Sequence, residues 1–217
     1  GKLDRNWSDH YPGGCIRYMT VFRQFKVFPK YCFYCYKVSI ELRNFVELFK
    51  IMMSFEKLDL TNDNTRKCMA DTSEQVSGAY KGFIFCRGIE EGEKIINMIE
   101  KLIAEEISKK IPITLKRGCS EYALAYPEYA QIGKGSTIMK YKEEWQVYED
   151  MVDENFVIDT QISESDTNNH STYTLDEAVT MFYWLQYAAT IGDMSYLKIS
   201  DKTMTPLANL KRPSPFI

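Results

Sequence analysis

Residues 80–116 read YKGFIFCRGIEEGEKIINMIEKLIAEEISKKIPITLK, and this run decides the fold. Tyr80 to Cys86 alternates and is rich in aromatic and β-branched side chains, the pattern of a strand. Gly88 opens a helix with Glu90, Glu91 and Glu93 in its first turns and Lys109 and Lys110 at its end, charges that suit the helix dipole. Ile95, Ile99, Leu102 and Ile103 give that helix one apolar face. Pro112 stops it, and Ile113 to Lys116 supplies another short strand.

The preceding residues repeat the plan. YKVSIEL at 36–42 predicts a strand with Val38 and Ile40 on one face. Asn44 and Glu47 have the spacing of a helix cap, and Phe45, Leu48, Phe49 and Met52 follow as an apolar stripe. A turn at 61–64 leads to a weaker strand within 65–70. The order strand, helix, strand, strand, helix, strand predicts an α+β, ferredoxin-like (βαββαβ) antiparallel sheet with two helices on one face. That core spans 32–120. An irregular, aromatic arm precedes it at 1–31, and an extension follows at 121–217. The extension's Thr174/Glu177 capping box starts a helix at about 174–191, apolar nearly all round and expected to be buried.

Composition sets the outer limits. The chain has 217 residues, 45% hydrophobic and 26% charged, as in an ordinary globular protein. The longest near-apolar stretch, Ala178 to Ile191, is too short to span a bilayer. No export signal is evident, so a cytoplasmic location is expected, where a Cys-x-x-Cys pair binds metal or does redox work.

The topology makes a geometric claim about the six cysteines. Cys32 and Cys35 precede the first strand, Cys68 lies near the second, Cys86 ends the third and Cys119 follows the fourth. In a ferredoxin-like sheet these strand ends share one edge. Cys32, Cys35, Cys68 and Cys119 are therefore candidate metal ligands, for zinc or for an iron–sulfur cluster. The plain alternative is that they are buried small hydrophobes. Arg66, Lys67, Arg87, Lys116 and Arg117 fall near the same edge and form a candidate anion site for a small anionic ligand or nucleotide. Tyr31, Phe33, Tyr34 and Tyr36 lie close enough in sequence to stack on a base. The net charge of −3 counts against general nucleic-acid binding.

Two further readings use other residues. Cys86 at a strand-to-helix junction beside Arg87 is a candidate reactive thiol, with the helix N-terminus stabilising an anionic substrate. His10 and His170 are the only histidines, both in polar, loop-like contexts, and Asp9-His10 close to Cys15 is not a triad by itself. The segment 143–166 carries nine acids and no Lys or Arg, and is a candidate dock for a basic protein partner. Gly133-Lys134-Gly135-Ser136 resembles a phosphate loop, but Glu128 stands where its first glycine belongs, so it is read as a turn. The leading expectation is a ligand- or partner-binding protein with a metal-stabilised, thiol-rich, basic site. An enzyme using Cys86 and an acidic interaction module are the rivals.

Overall fold

The computed structural model describes residues 2–5, 15–62, 64–72, 78–133, 138–155 and 173–206. Its strands are β1 (Lys2–Arg5), β2 (Tyr36–Leu42), β3 (Arg66–Ala70), β4 (Tyr80–Cys86) and β5 (Ile113–Arg117). Its helices are α1 (Ile16–Phe25), α2 (Phe45–Glu56), α3 (Ile89–Glu106), α4 (Ser120–Ala125), α5 (Gln146–Asn155), α6 (Leu175–Ile191) and α7 (Leu197–Ser200). The fold is mixed α+β. The strands form one sheet in the order β1-β3-β4-β2-β5, with every neighbouring pair antiparallel.

Period-2 alternation sorts the strand residues between two faces. Val38 stands opposite Ile84 and Leu115, and Ile40 opposite Gly82 and Ile113. Val38, Ile40 and Ile84 share a hydrophobic cluster with Leu48, Ile51, Met52 and Phe55 of α2 and with Ile95, Ile99 and Ile103 of α3, and Ile113 and Leu115 pack against it. Both helices therefore cover the same face. Full burial of each such aliphatic side chain contributes roughly 1.5–3 kcal/mol. Gly82 lets α2 approach, because a Cβ there would stand 3.3 Å from the Phe55 ring. Asn44 caps α2 by accepting the Glu47 N–H at 3.0 Å.

A second cluster lies beyond one end of the sheet. Val21, Phe22, Val27, Phe28, Cys32 and Phe33 pack there with Tyr122, Tyr129, Trp145 and Val152. Phe28 stacks on Tyr129 with ring centroids 4.9 Å apart. The segments before and after the core thus build one hydrophobic unit together.

Three expectations need correction. The arm at 1–31 is not wholly irregular: Lys2–Arg5 pairs with β3 as an edge strand, and α1 buries Val21 and Phe22. Four residues are too few for a pattern, and α1 lacks a side-chain cap. The first part of the acidic run is the helix α5, held inward by its acids: Glu149 and Asp153 both pair with Arg17 of α1. Finally, α6 is only half buried. Trp184, Tyr187 and Ala188 join the first core, whereas Leu175, Val179, Phe182 and Tyr183 remain exposed. A helix apolar all round can bury only the side that finds a surface. Its cap is as the sequence indicates, a Thr174/Glu177 capping box, and Gly192 ends it with a left-handed φ of 80°. No described helix is long and apolar enough to cross a membrane. His10, His170, the 134–137 part of the glycine-rich turn and the acids at 159–166 lie outside the described residues.

Candidate functional site

The thiols divide into groups. Tyr36 pairs with both Cys86 and Arg117, and the Gly118 N–H donates to the Cys35 carbonyl at 2.8 Å. Cys35, Cys86 and Cys119 therefore lie at one end of the sheet. Cys32, in the turn Lys30–Phe33, packs into the second cluster with its thiol 3.6 Å from the Tyr122 hydroxyl. Cys68 stands apart, opposite Gly82, four residues up β4 from Cys86 and buried in the first core. Four residues of strand span about 13 Å. Cys15 is exposed at the start of α1. None of the six is in a disulfide, and among the described residues no three His, Cys, Asp or Glu side chains are grouped to hold a metal ion.

Their electrostatics favour neutral thiols. Burial, reinforced by the neighbouring cysteines, pushes Cys35 up to about 12 and Cys119 up to about 11. Burial and the nearby Glu91 carboxylate push Cys86 up to about 12. An activated thiol needs the opposite surroundings. The N-terminus of α3 is also occupied from within. Glu91 accepts the Arg87 N–H at 2.6 Å and the side-chain amides of Asn62 and Asn64 at 2.8 Å each.

The five basic residues do not form one rim. Arg66 is buried on the helix-covered face and donates to the Leu58 carbonyl at 2.6 Å. Arg117 is buried among Phe33, Tyr36 and Tyr129, 5.5, 5.7 and 5.5 Å from their ring centres, and donates to the Met139 carbonyl at 3.3 Å. It is a packed cation that ties the sheet to the second cluster. Arg87 lies past the end of β4. Only Lys67 and Lys116 belong to the face opposite the helices, and Lys116 pairs with Glu41 at 2.8 Å.

That second face holds side chains the sequence reading passed over. Lys37 and Ser39 alternate with Val38 and Ile40, so they point away from α2 and α3. Phe85 stands opposite Lys37, which stands opposite Lys116 on its other side. Phe83 stands between Lys67 and Ser39. The two phenylalanine rings are 6.4 Å apart, and the Lys37 ammonium lies 4.8 Å from the centre of Phe83. Lys37 is 7% exposed, and its one side-chain hydrogen-bond partner among the described residues is the Ser120 hydroxyl at 3.2 Å. No described carboxylate is within ion-pairing distance of it, and burial pulls its pKa down. Ser39 is 1% exposed, and its hydroxyl has no hydrogen-bond partner among the described residues. Lys37, Ser39 and Phe83 are all buried, yet they belong to neither hydrophobic cluster.

Buried donors without partners mark places where a polar group is missing. An ammonium has three N–H donors and a hydroxyl one. Together with two aromatic rings they are suited to an anionic group joined to a flat, stackable one. Comparison with family models, with curated proteins and with solved structures finds no match to this chain.

Proposed function

We propose that the protein binds single-stranded nucleic acid on the sheet face opposite α2 and α3. Lys37 and Ser39 supply donors for a phosphate, and Phe85, the partly exposed ring of the pair, stacks on a base. One observation carries this reading: a buried ammonium and a buried hydroxyl with unused donors flank a phenylalanine pair on the face opposite α2 and α3. The order β3-β4-β2-β5, with both long helices on the other face, supports a ferredoxin-like reading of the core. Sheets of this kind use strand aromatics to hold unstacked bases. The run Lys81-Gly82-Phe83 followed by Phe85 also follows the basic–Gly–aromatic–x–aromatic part of the pattern found on such strands. It departs from that pattern at Ile84, Cys86 and Gly88.

The net charge of −3 is compatible with this mode. Stacking contributes roughly 1–3 kcal/mol per base and needs few cations. The anion site expected from the sequence thus keeps Lys67 and Lys116 and gains Lys37. Arg66 and Arg117 are packing residues, and Arg87 lies off the face. The proposal requires neither a metal nor a reactive thiol.

Fluorescence anisotropy with labelled ten-nucleotide oligothymidylate and oligouridylate tests it. Micromolar binding is expected, weakened about tenfold or more by Phe85→Ala and by Lys37→Met and unaltered by Arg87→Ala. Absence of binding to both oligonucleotides, or binding indifferent to both face substitutions, overturns the proposal.

A further inference from the structure

The exposed side of α6 is the other unexplained surface. Leu175 is 80% exposed, Val179 44%, Phe182 49% and Tyr183 50%. Their spacing of four, seven and eight residues puts them on one stripe of the helix. The opposite side of the same helix carries Trp184, Tyr187 and Ala188 into the first core. Nothing in the nucleic-acid reading uses this stripe.

From this pattern we infer that α6 packs antiparallel against α6 of a second copy of the chain. A continuous apolar stripe is self-complementary, as a two-fold interface requires. The charges agree with the antiparallel sense. Asp176 lies in the first turn of α6, while Lys198 and Lys202 follow its C-terminal end, all three exposed. Antiparallel pairing brings the acidic end of each helix toward the basic end of its copy and opposes the two helix dipoles. Exposed Met194 and Ile199 lie beyond the same C-terminal end, offering apolar surface where the partner's Leu175 arrives. A membrane surface is a poorer fit, because α6 contains no Lys or Arg to meet anionic headgroups. Half-exposed side chains of this size leave on the order of 100 Å² each for burial. Four of them on each of two copies give roughly 800 Å², the range of weak, reversible association.

Sedimentation velocity on the full chain, from about 1 to about 200 µM, tests the inference. A monomer–dimer equilibrium in the micromolar range is expected. Phe182→Glu and, separately, Leu175→Glu are each expected to raise the dissociation constant about tenfold or more, with unchanged circular dichroism. Val147→Glu, at an exposed apolar position on α5, is expected to leave it unchanged. A chain that stays monomeric across that range overturns the inference. So does a dimer that survives both α6 substitutions, or one lost with Val147→Glu.

Discussion

Lys37 carries its charge in contact with one hydroxyl and one aromatic ring, with Glu121 and Lys116 near enough to act on it. Such a cation is costly to bury. Lys37→Met, which preserves length and removes the charge, is expected to raise unfolding stability by about 1 kcal/mol in urea titrations while reducing oligonucleotide binding. The pH dependence carries the same signature. Burial lowers the folded pKa of Lys37 below its unfolded value. Between those two values the unfolded chain binds more protons, so this group makes stability rise with pH across that alkaline window. Below it both states are charged, and above it both are neutral. The difference in stability between wild type and Lys37→Met is therefore expected to shrink as pH rises through that window. A constant difference contradicts the assignment.

The cysteines illustrate what sequence separation conceals and what it does not. The convergence of Cys35, Cys86 and Cys119 at one sheet end follows from strand direction alone, and that much was legible. Cys68 was not, because the register of β3 places it mid-strand and no spacing rule reveals register. Burial, which raises rather than lowers the thiol pKa values, was equally hidden. In the native protein near neutral pH, iodoacetamide is expected to label Cys15 first, with Cys86 and Cys32 reacting only after denaturation. Rapid native labelling of Cys86, read by peptide mass spectrometry, contradicts the picture of an inert buried thiol.

At the scale of elements, the strand and helix periods in 36–42, 44–56 and 80–116 were strong enough to be read directly. The weak β3 was anchored by β4, its neighbour. What the alternation also contained was the second face. In Lys37-Val38-Ser39-Ile40 and Lys81-Gly82-Phe83-Ile84-Phe85 the polar or aromatic residues occupy the parity opposite the aliphatic ones. Aliphatic residues mark the core parity in the sequence, whereas the mixed Lys, Ser and Phe of the other parity carry no such mark. Gly118 shows how tightly the sheet end joins the second cluster. It has a left-handed φ of 43°, and a Cβ there would collide with the Tyr129 hydroxyl, which donates to the Cys32 carbonyl at 2.7 Å. Gly118→Ala is expected to cost about 2–3 kcal/mol, measured by denaturant unfolding. A neutral effect contradicts the described junction between β5 and α4.

At the scale of the molecule, the proposed binding mode gives the two sheet faces separate tasks. One sheet face is given to α2 and α3, and the other holds the proposed ligand site. The second cluster caps the sheet end with aromatic packing around Arg117, and α6 presents its apolar stripe away from the core. The uneven charge fits this division. Residues 1–120 carry an excess of basic side chains, and 121–217 an excess of acids. Several of those acids are spent internally, on Arg17 and Lys30, so the acidic run is less available to a partner than its composition implies. Single-strand binding through stacking and about two phosphate contacts is expected to give a shallow salt dependence, a log–log slope of roughly −1.4.

The most direct measurement is photo-crosslinking of the full chain to an oligonucleotide carrying 4-thiothymidine, with the adduct mapped by mass spectrometry. The sheet-face account predicts adducts on the β4 segment containing Phe83 and Phe85, lost when Phe85 is replaced by alanine. Adducts confined to the Arg87 region, to the aromatic turn at 31–34 or to α5, with β4 unmodified, contradict it.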